Sequence, residues 1–320
     1  MNNLATPILL IGHVRHELIL RRILEMNCQD RVPEIVYLSI DGPRNHEETL
    51  IIGKIHDSIV KLRGDLKYEL VVNYNTSNLG VDSHIKSQVT RVLEDHNQLI
   101  VIEDDVACST QLNSSMLRGL EILNLNSEKY MFVLGFSPST PLNRLIGSTL
   151  DVSNRNYWRE SKYFSAWGWA TTRDVWLKFT PDRSLETIEK KLSFSPSWQE
   201  LSKHKQSIWL ERFIRVNYDY QLQCLLFENN KKTLVPSLRL IDNEGFDEKA
   251  THTRVRPKVL GPKGILSASP RKLRIFPWPR QKFLDFLDSS MWAGDTWLNV
   301  RGRKSGVRSR IRGVLTEREK

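Results

Sequence analysis

The stretch Leu99-Ile100-Val101-Ile102-Glu103-Asp104-Asp105 sets four consecutive apolar residues directly against three consecutive carboxylates. The apolar run reads as a strand buried on both faces, because a half-exposed strand would alternate apolar with polar side chains. Upstream, Ile85, Val89, Val92 and Leu93 recur at helical spacing, and Tyr68–Val72 is a further strand. Ile51, Ile55, Ile59 and Leu62 mark one face of another helix, Ile35–Ile40 a strand, Leu18, Ile19, Ile23 and Met26 the first helix, and Pro7–Ile11 the first strand. The order β-α-β-α-β-α-β with short connections predicts a doubly wound, mostly parallel α/β sheet flanked by helices.

Sheets of this kind bind ligands in the crevice outside the carboxyl ends of their strands. In chain order those ends carry Gly12-His13-Val14-Arg15, Asp41-Gly42-Pro43, Asn75-Thr76-Ser77-Asn78-Leu79-Gly80 and Glu103-Asp104-Asp105. A cation, several amides and four carboxylates would share one edge, a composition suited to metals and nucleotide hydroxyls. No G-x-G-x-x-G follows the first strand and no G-x-x-x-x-G-K-[ST] occurs, so dinucleotide and P-loop readings lose their phosphate cradle. A diphosphate bound here would need a divalent cation, which one or two carboxylates, waters and phosphate oxygens can hold. The competing reading of the acidic triplet is a solvated turn in which Asp105 caps the next helix.

Composition bounds the alternatives. With 40% hydrophobic and 26% charged residues among 320, the chain reads as a soluble globular protein, not a disordered or disulfide-stapled one. No apolar run reaches the roughly 18 residues of a membrane span, and the N-terminus enters a short strand without a secretory leader pattern. Cys28, Cys108 and Cys224 are widely spaced, which fits a reducing compartment and argues against structural zinc. The expected location is cytoplasmic, with peripheral contact at the inner face of the membrane as an option. Residues 249–320 hold 18 Lys and Arg against 5 Asp and Glu, a net of +13, while residues 1–248 hold 29 against 32, a net of −3. The basic character therefore belongs to the C-terminal region and bears on docking more than on chemistry.

The triplet's position near residue 100 of a wound sheet resembles the GT-A nucleotide-sugar glycosyltransferases, which carry a metal-binding D-x-D or E-D-D signature there. Ile8-Leu9-Leu10-Ile11 leading to Arg15, Ser39-Ile40-Asp41-Gly42 and Val101-Ile102-Glu103-Asp104-Asp105 are similar to the branch containing the β-1,2-N-acetylglucosaminyltransferases and bacterial relatives. Ser165-Ala166-Trp167-Gly168-Trp169-Ala170-Thr171, Asn243-Glu244-Gly245-Phe246 and Ala250-Thr251-His252-Thr253 resemble segments of a bacterial subset. The likeness covers about residues 7–253. It implies a Rossmann-like GT-A domain over 1–256, with a nucleotide-sugar half of about 1–110 and an acceptor half of about 111–256, followed by a basic extension at 257–320.

By that resemblance Asp105 is the metal ligand, with His252 near the metal or diphosphate from the C-terminal side. Glu103 and Asp104 hold ribose or metal-bound waters, and Arg15 and Asp41 contact the base and ribose. Asp219, in a Tyr-Asp pair where many relatives have Trp-Asp, stands at the catalytic carboxylate. The implied cofactor is Mn2+ or Mg2+, and the implied reaction moves a hexosyl or N-acetylhexosaminyl group from a nucleotide diphosphate, UDP by preference, to a glycan or lipid-linked glycan, as in polysaccharide biosynthesis. A single base facing the sugar predicts inversion at the anomeric carbon.

Other residues carry bland readings beside functional ones. Trp167, Gly168 and Trp169 suit an acceptor pocket where aromatics stack on sugar, yet Trp-rich stretches are more often core, the reading preferred for Trp176 and Trp209. His13, His16, His84 and His96 lack ligand spacing and read as helix-end or surface residues. Lys86 faces a phosphate or projects into solvent. In the tail, Phe283, Phe286, Leu287, Met291 and Trp292 are spaced for one amphipathic helix and Arg301–Arg312 is strongly basic, which fits either an anionic lipid surface or a segment packing back on the domain. Two further functions are weighed: a sugar-nucleotidyltransferase, which lacks its usual glycine- and basic-rich loop here, and a non-catalytic module binding glycan or nucleic acid. Nucleic acid has charge in its favour but no accompanying motif.

Overall fold

The computed structural model describes residues 5–137, 157–179, 184–213, 217–245, 270, 272–275, 281–285 and 288. The first half follows the expected rhythm: β1 (Ile8–Gly12), α1 (His16–Asn27), β2 (Ile35–Ile40), α2 (His46–Leu62), β3 (Glu69–Tyr74), α3 (Val81–Asp95) and β4 (Gln98–Glu103). Then come β5 (Val106–Cys108), α4 (Leu112–Leu125), β6 (Tyr130–Leu134), β7 (Tyr157–Ser161) and β8 (Trp169–Thr172). Short helices and the Lys203–Phe213 and Tyr218–Glu228 helices precede β9 (Lys232–Pro236), β10 (Ile241–Asn243) and β11 (Lys272–Arg274).

Among the described residues nine strands form one sheet in the order β11-β7-β9-β6-β8-β4-β1-β2-β3, and β10 pairs with β5 in a separate ribbon. The four strands β3, β2, β1 and β4 are mutually parallel, whereas β8 enters antiparallel between β4 and β6. The sheet is thus mixed and mostly parallel. Alternate residues of β1 and β4 face opposite helix layers, as the two-residue period of a strand requires. Ile8, Leu10, Ile100 and Ile102 pack with Ile19, Ile23, Ile55 and Met116 from α1, α2 and α4 on one face. Leu9, Ile11, Leu99 and Val101 pack on the other face with Ile85, Val89 and Val92 of α3 and Leu222 and Leu225 of the Tyr218–Glu228 helix. Burial on both sides is why these strands read as unbroken apolar runs.

A third apolar cluster, including Trp198, Trp209, Phe213 and Phe227, joins the helices that follow β8. Trp176 and Trp209 are buried, as the core reading expects. His84 and His96 sit at the two ends of α3 and are also buried, bonded to Ser39 Oγ at 2.8 Å and to the Tyr37 hydroxyl at 3.0 Å.

Part of the region expected as a basic extension is built into the sheet's edge. β11 runs parallel beside β7, with Lys272 opposite Tyr157 and Arg274 opposite Arg159. Residues 281–285 are helical, and Leu284 is buried against Tyr157. The Asp288 carboxylate accepts two hydrogen bonds of 2.7 Å from the buried Arg159 guanidinium and one of 2.6 Å from Ser161 Oγ. The docked residues are therefore Leu284 and Asp288, while Phe283 stays 48% exposed. Phe286, Leu287, Met291, Trp292 and Arg301–Arg312 lie outside the residues whose side chains are described. Among the described residues no helix is long and apolar enough to cross a membrane.

Candidate active site at the carboxyl edge of the sheet

The loops after β1, β2, β3 and β4 come together because their strands are adjacent and parallel. Gly42 marks the closest approach of two of them: a Cβ there would lie 2.2 Å from the Ser77 carbonyl carbon, so only glycine lets the backbones touch. Asp41 stitches the same loops. Its Oδ1 accepts from the backbone N–H of Gly42 and Leu79 and from Asn75, at 2.9–3.1 Å. Its Oδ2 accepts from Asn78 and the Gly80 N–H, both at 3.0 Å. Burial alone would raise this carboxyl, but the Leu79 N–H, Asn75 and the other donors outweigh it and hold Asp41 below the usual carboxylate range. The carboxylate is turned to the 75–80 loop and fully engaged there, so it organises the wall of the crevice.

The acidic triplet sits where β4 ends beside β1. Arg15, the residue before α1, donates through Nη1 to Asp105 Oδ2 at 2.7 Å and to Asp104 Oδ1 at 3.3 Å. One cationic nitrogen is thus shared between two carboxylates. Glu103 accepts from the buried Tyr218 hydroxyl at 3.0 Å, and the Tyr218 backbone N–H donates to Asp82 Oδ1 at 2.7 Å at the start of the Tyr218–Glu228 helix. Burial first, then the Asp105 charge, pushes Glu103 up to about 8, with Asp104 and Asp219 adding to the rise. The same two causes push Asp104 up to about 7 against the pull of Arg15. Among the described residues Arg15 is the cation bonded to these crowded carboxylates, which outnumber it.

The C-terminal ribbon packs against this triplet. Asn243 pairs with Val106, the Glu244 N–H donates to the Asp105 carbonyl at 2.7 Å, and Gly245 lies so close that a Cβ would stand 2.1 Å from Asp105 Oδ2. Glu244 in turn accepts from Arg21 and from the fully buried Arg22, both at 3.1 Å, which pins the ribbon to α1. His252 lies outside the described residues.

Asp219 stands in the first turn of the Tyr218–Glu228 helix, next to Tyr218, near enough for its charge to act on Glu103. Residues 115 apart in sequence are thus joined at one edge. The acceptor-pocket expectation divides. β8 is antiparallel to β4 with Trp169 opposite Val101, which puts Trp167 and Gly168 toward the triplet's edge. Gly168 adopts φ 61°, and its carbonyl accepts from the Gly135 N–H at 2.8 Å. Trp167 is partly buried, its ring edge-on to Phe136 with centroids 4.9 Å apart. Trp169 is corrected to a core residue: it is wholly buried among Phe132, Phe164 and Trp176, because strand alternation turns it into the sheet.

A divalent cation suits the donor set. The donors are hard oxygens, and the reach of a single nitrogen to both Asp104 and Asp105 marks a position that one cation can share. Among the described residues no group of three or more His, Cys, Asp or Glu side chains is placed to hold a metal ion; an ion that completes its shell with water and phosphate needs only one or two carboxylates. Tyr218, Gly245 and the Arg22–Glu244 latch were not assigned roles by residue type. The Tyr218-Asp219 adjacency hints at the first, and the glycine in Asn243-Glu244-Gly245 at the second.

The fold and site define an α/β protein with an acidic crevice at the carboxyl edge of its parallel strands. No protein-family profile and no curated protein sequence matches the chain. Among solved structures it is similar to a mannosyltransferase from Pyrobaculum calidifontis, in complex with GDP-Man and Mn2+, at 11% identity and TM-score 0.37 over 64% of this chain and 52% of that one. It is also similar to glucosyl-3-phosphoglycerate synthase from Mycobacterium tuberculosis, in complex with Mn2+, UDP and glucosyl-3-phosphoglycerate, at 11% identity and TM-score 0.32 over 58% and 66%. HddC from Yersinia pseudotuberculosis aligns at 13% identity and TM-score 0.27 over 53% and 78%. Likeness at this level leaves the functional reading to the residues themselves.

Proposed function

We propose that the protein is a GT-A glycosyltransferase that moves a sugar from a nucleotide diphosphate, UDP by preference, to a hydroxyl of a glycan or lipid-linked glycan, with inversion. The observation that carries this reading is the meeting of Glu103, Asp104 and Asp105 with Arg15 and Asp219 at one strand edge, a grouping that pairs an anion-stabilising site with a candidate base. Asp105, with Asp104 beside it and His252 from the C-terminal side, would hold Mn2+ or Mg2+. When bound, that ion supplies positive charge to the departing diphosphate.

The chain's own residues do the rest. Arg15 offers a second cationic group where charge develops on the leaving oxygens. Glu103, oriented by the Tyr218 hydroxyl, holds ribose or ordered water. Asp41 acts through the 75–80 loop that it shapes, on which the base and ribose rest. Asp219 takes the acceptor proton from the opposite side of the sugar, and Trp167 with Gly168 borders the acceptor. Attack opposite the leaving group inverts the anomeric carbon.

Nucleotide release from UDP-glucose, UDP-N-acetylglucosamine and GDP-mannose tests the reading. One donor should be turned over with Mn2+ and an acceptor glycan. Asp219→Asn should lower turnover by about 10² to 10⁴ while donor binding persists. Full turnover in Asp219→Asn, or a product of retained configuration, would overturn the assignment of the base.

A further inference from the structure

We infer that Asp82 is a positioning residue for Asp219, the candidate base, acting through the backbone of Tyr218; the inference rests on that assignment of the base. The Tyr218–Glu228 helix begins with Asn217 at its cap position, yet Asn217 gives the helix no side-chain hydrogen bond. The free N–H groups of a helix start are commonly met by the cap residue's own side chain or by water. Here the Tyr218 N–H donates to Asp82 Oδ1 at 2.7 Å, across 136 positions of sequence. The acceptor thus comes from the first turn of another helix, α3. Asp219 is the next residue, and its Oδ1 accepts from the Tyr220 N–H at 2.9 Å, so its carboxylate is carried by the turn that Asp82 holds.

Asp82 is itself held in place through the 75–80 loop. It follows Gly80 by two residues, and the Leu79 and Gly80 N–H groups donate to Asp41 at 3.0 Å. The His84 N–H donates to the Gly80 carbonyl at 2.9 Å, and His84 Nε2 meets Ser39 Oγ at 2.8 Å. α3 and the Tyr218–Glu228 helix also share an apolar layer, Ile85 and Val89 with Leu222 and Leu225. Apolar contact holds the two helices together without direction, whereas a short hydrogen bond to a carboxylate fixes where one begins along the other. The Tyr218 hydroxyl bonds Glu103 at 3.0 Å, and its ring is buried beside Trp169, with centroids 6.5 Å apart. The residue before the base is thus tied at its side chain to β4 and at its backbone to α3. The backbone tie is the one that carries Asp219 directly.

Steady-state nucleotide release by the full chain tests it, from UDP-glucose, UDP-N-acetylglucosamine and GDP-mannose with Mn2+ and an acceptor glycan, with Asp82 and Asp219 changed singly and together. Asp82→Ala should lower kcat by about 10- to 100-fold, the scale of an ångström-sized misplacement, with the donor KM and Mn2+-dependent nucleotide binding unchanged. Asp82→Asn, whose amide oxygen can accept the same N–H, should keep most of the wild-type kcat. Asp82→Glu retains the charge but moves the carboxylate by a methylene, and should lose kcat as well. In an Asp219→Asn background Asp82→Ala should change kcat little, because a residue that acts through the base has nothing left to position. An equal fold-loss in both backgrounds, a loss of nucleotide binding together with kcat, or full turnover in Asp82→Ala would overturn the inference while leaving the base in place. A wild type that releases nucleotide from none of the three donors, or full turnover in Asp219→Asn, would overturn the assignment of the base and this inference with it.

Discussion

Gly245 and Asp105 are in contact across 140 positions of sequence, and that contact makes the site sensitive to one methyl group. Gly245→Ala would set a Cβ 2.1 Å from Asp105 Oδ2, so either the ribbon or the carboxylate must move. The expected result is a loss of about 1–3 kcal/mol in stability, together with weakened Mn2+-dependent nucleotide binding, read by calorimetry. Glu103 gives a pH signature. Its carboxyl is raised to about 8 by burial and by Asp105, above the unfolded value near 4.5, so the folded state favours the protonated form. That stability is complete below about pH 4.5 and is lost as pH rises through about 8. Relative to Glu103→Gln, the wild type should therefore lose melting temperature progressively between pH 5 and about pH 9. A constant difference across that range would show that Glu103 titrates normally. Glu103, Asp104 and Asp105 were legible in sequence because three charges directly after a buried run are conspicuous. The Tyr218 hydroxyl on Glu103 was not, because nothing local to residue 218 announces a partner 115 residues away.

The elements that build the crevice are loops tied to strands, and Asp41 is the clearest tie. Asp41→Ala removes five internal hydrogen bonds at once, leaving the buried Gly42 N–H and the part-buried N–H groups of Leu79 and Gly80 without this acceptor. An unsatisfied buried N–H costs about 1–3 kcal/mol, so the variant should melt lower and show faster amide exchange across residues 75–80. Unchanged exchange there would mean that the loop holds without Asp41. Periodicity found β1 to β4 and α1 to α3 within a residue or two at most strand ends, because each strand is buried on both faces and each helix on one. β8 illustrates what periodicity misses. Trp167-Gly168-Trp169 has the composition of a sugar platform, but insertion of this short strand between β4 and β6 turns Trp169 inward. Pairing between distant strands decided that outcome, and no window of local sequence contains it.

At the scale of the whole molecule, charge divided the chain at about residue 249, whereas packing does not respect that division. Arg159 and Asp288 are both almost wholly buried and join β7 to the C-terminal segment. Asp288→Ala would leave the Arg159 guanidinium buried without its carboxylate, a change that costs about 3–5 kcal/mol, so the full chain should melt well below wild type in a single transition. A wild-type melting temperature in that variant would mean that the docked segment is dispensable to the fold. A thermal-shift titration with UDP and GDP, with and without Mn2+, on wild type and Asp105→Asn reports on nucleotide and metal binding at the acidic triplet. One nucleotide at about 100 times its Kd should stabilise the wild type by about 2.7 kcal/mol, only when Mn2+ is present and not in the variant. A shift independent of Mn2+, a shift retained in Asp105→Asn, or no shift with either nucleotide in a protein that melts cooperatively would contradict the account.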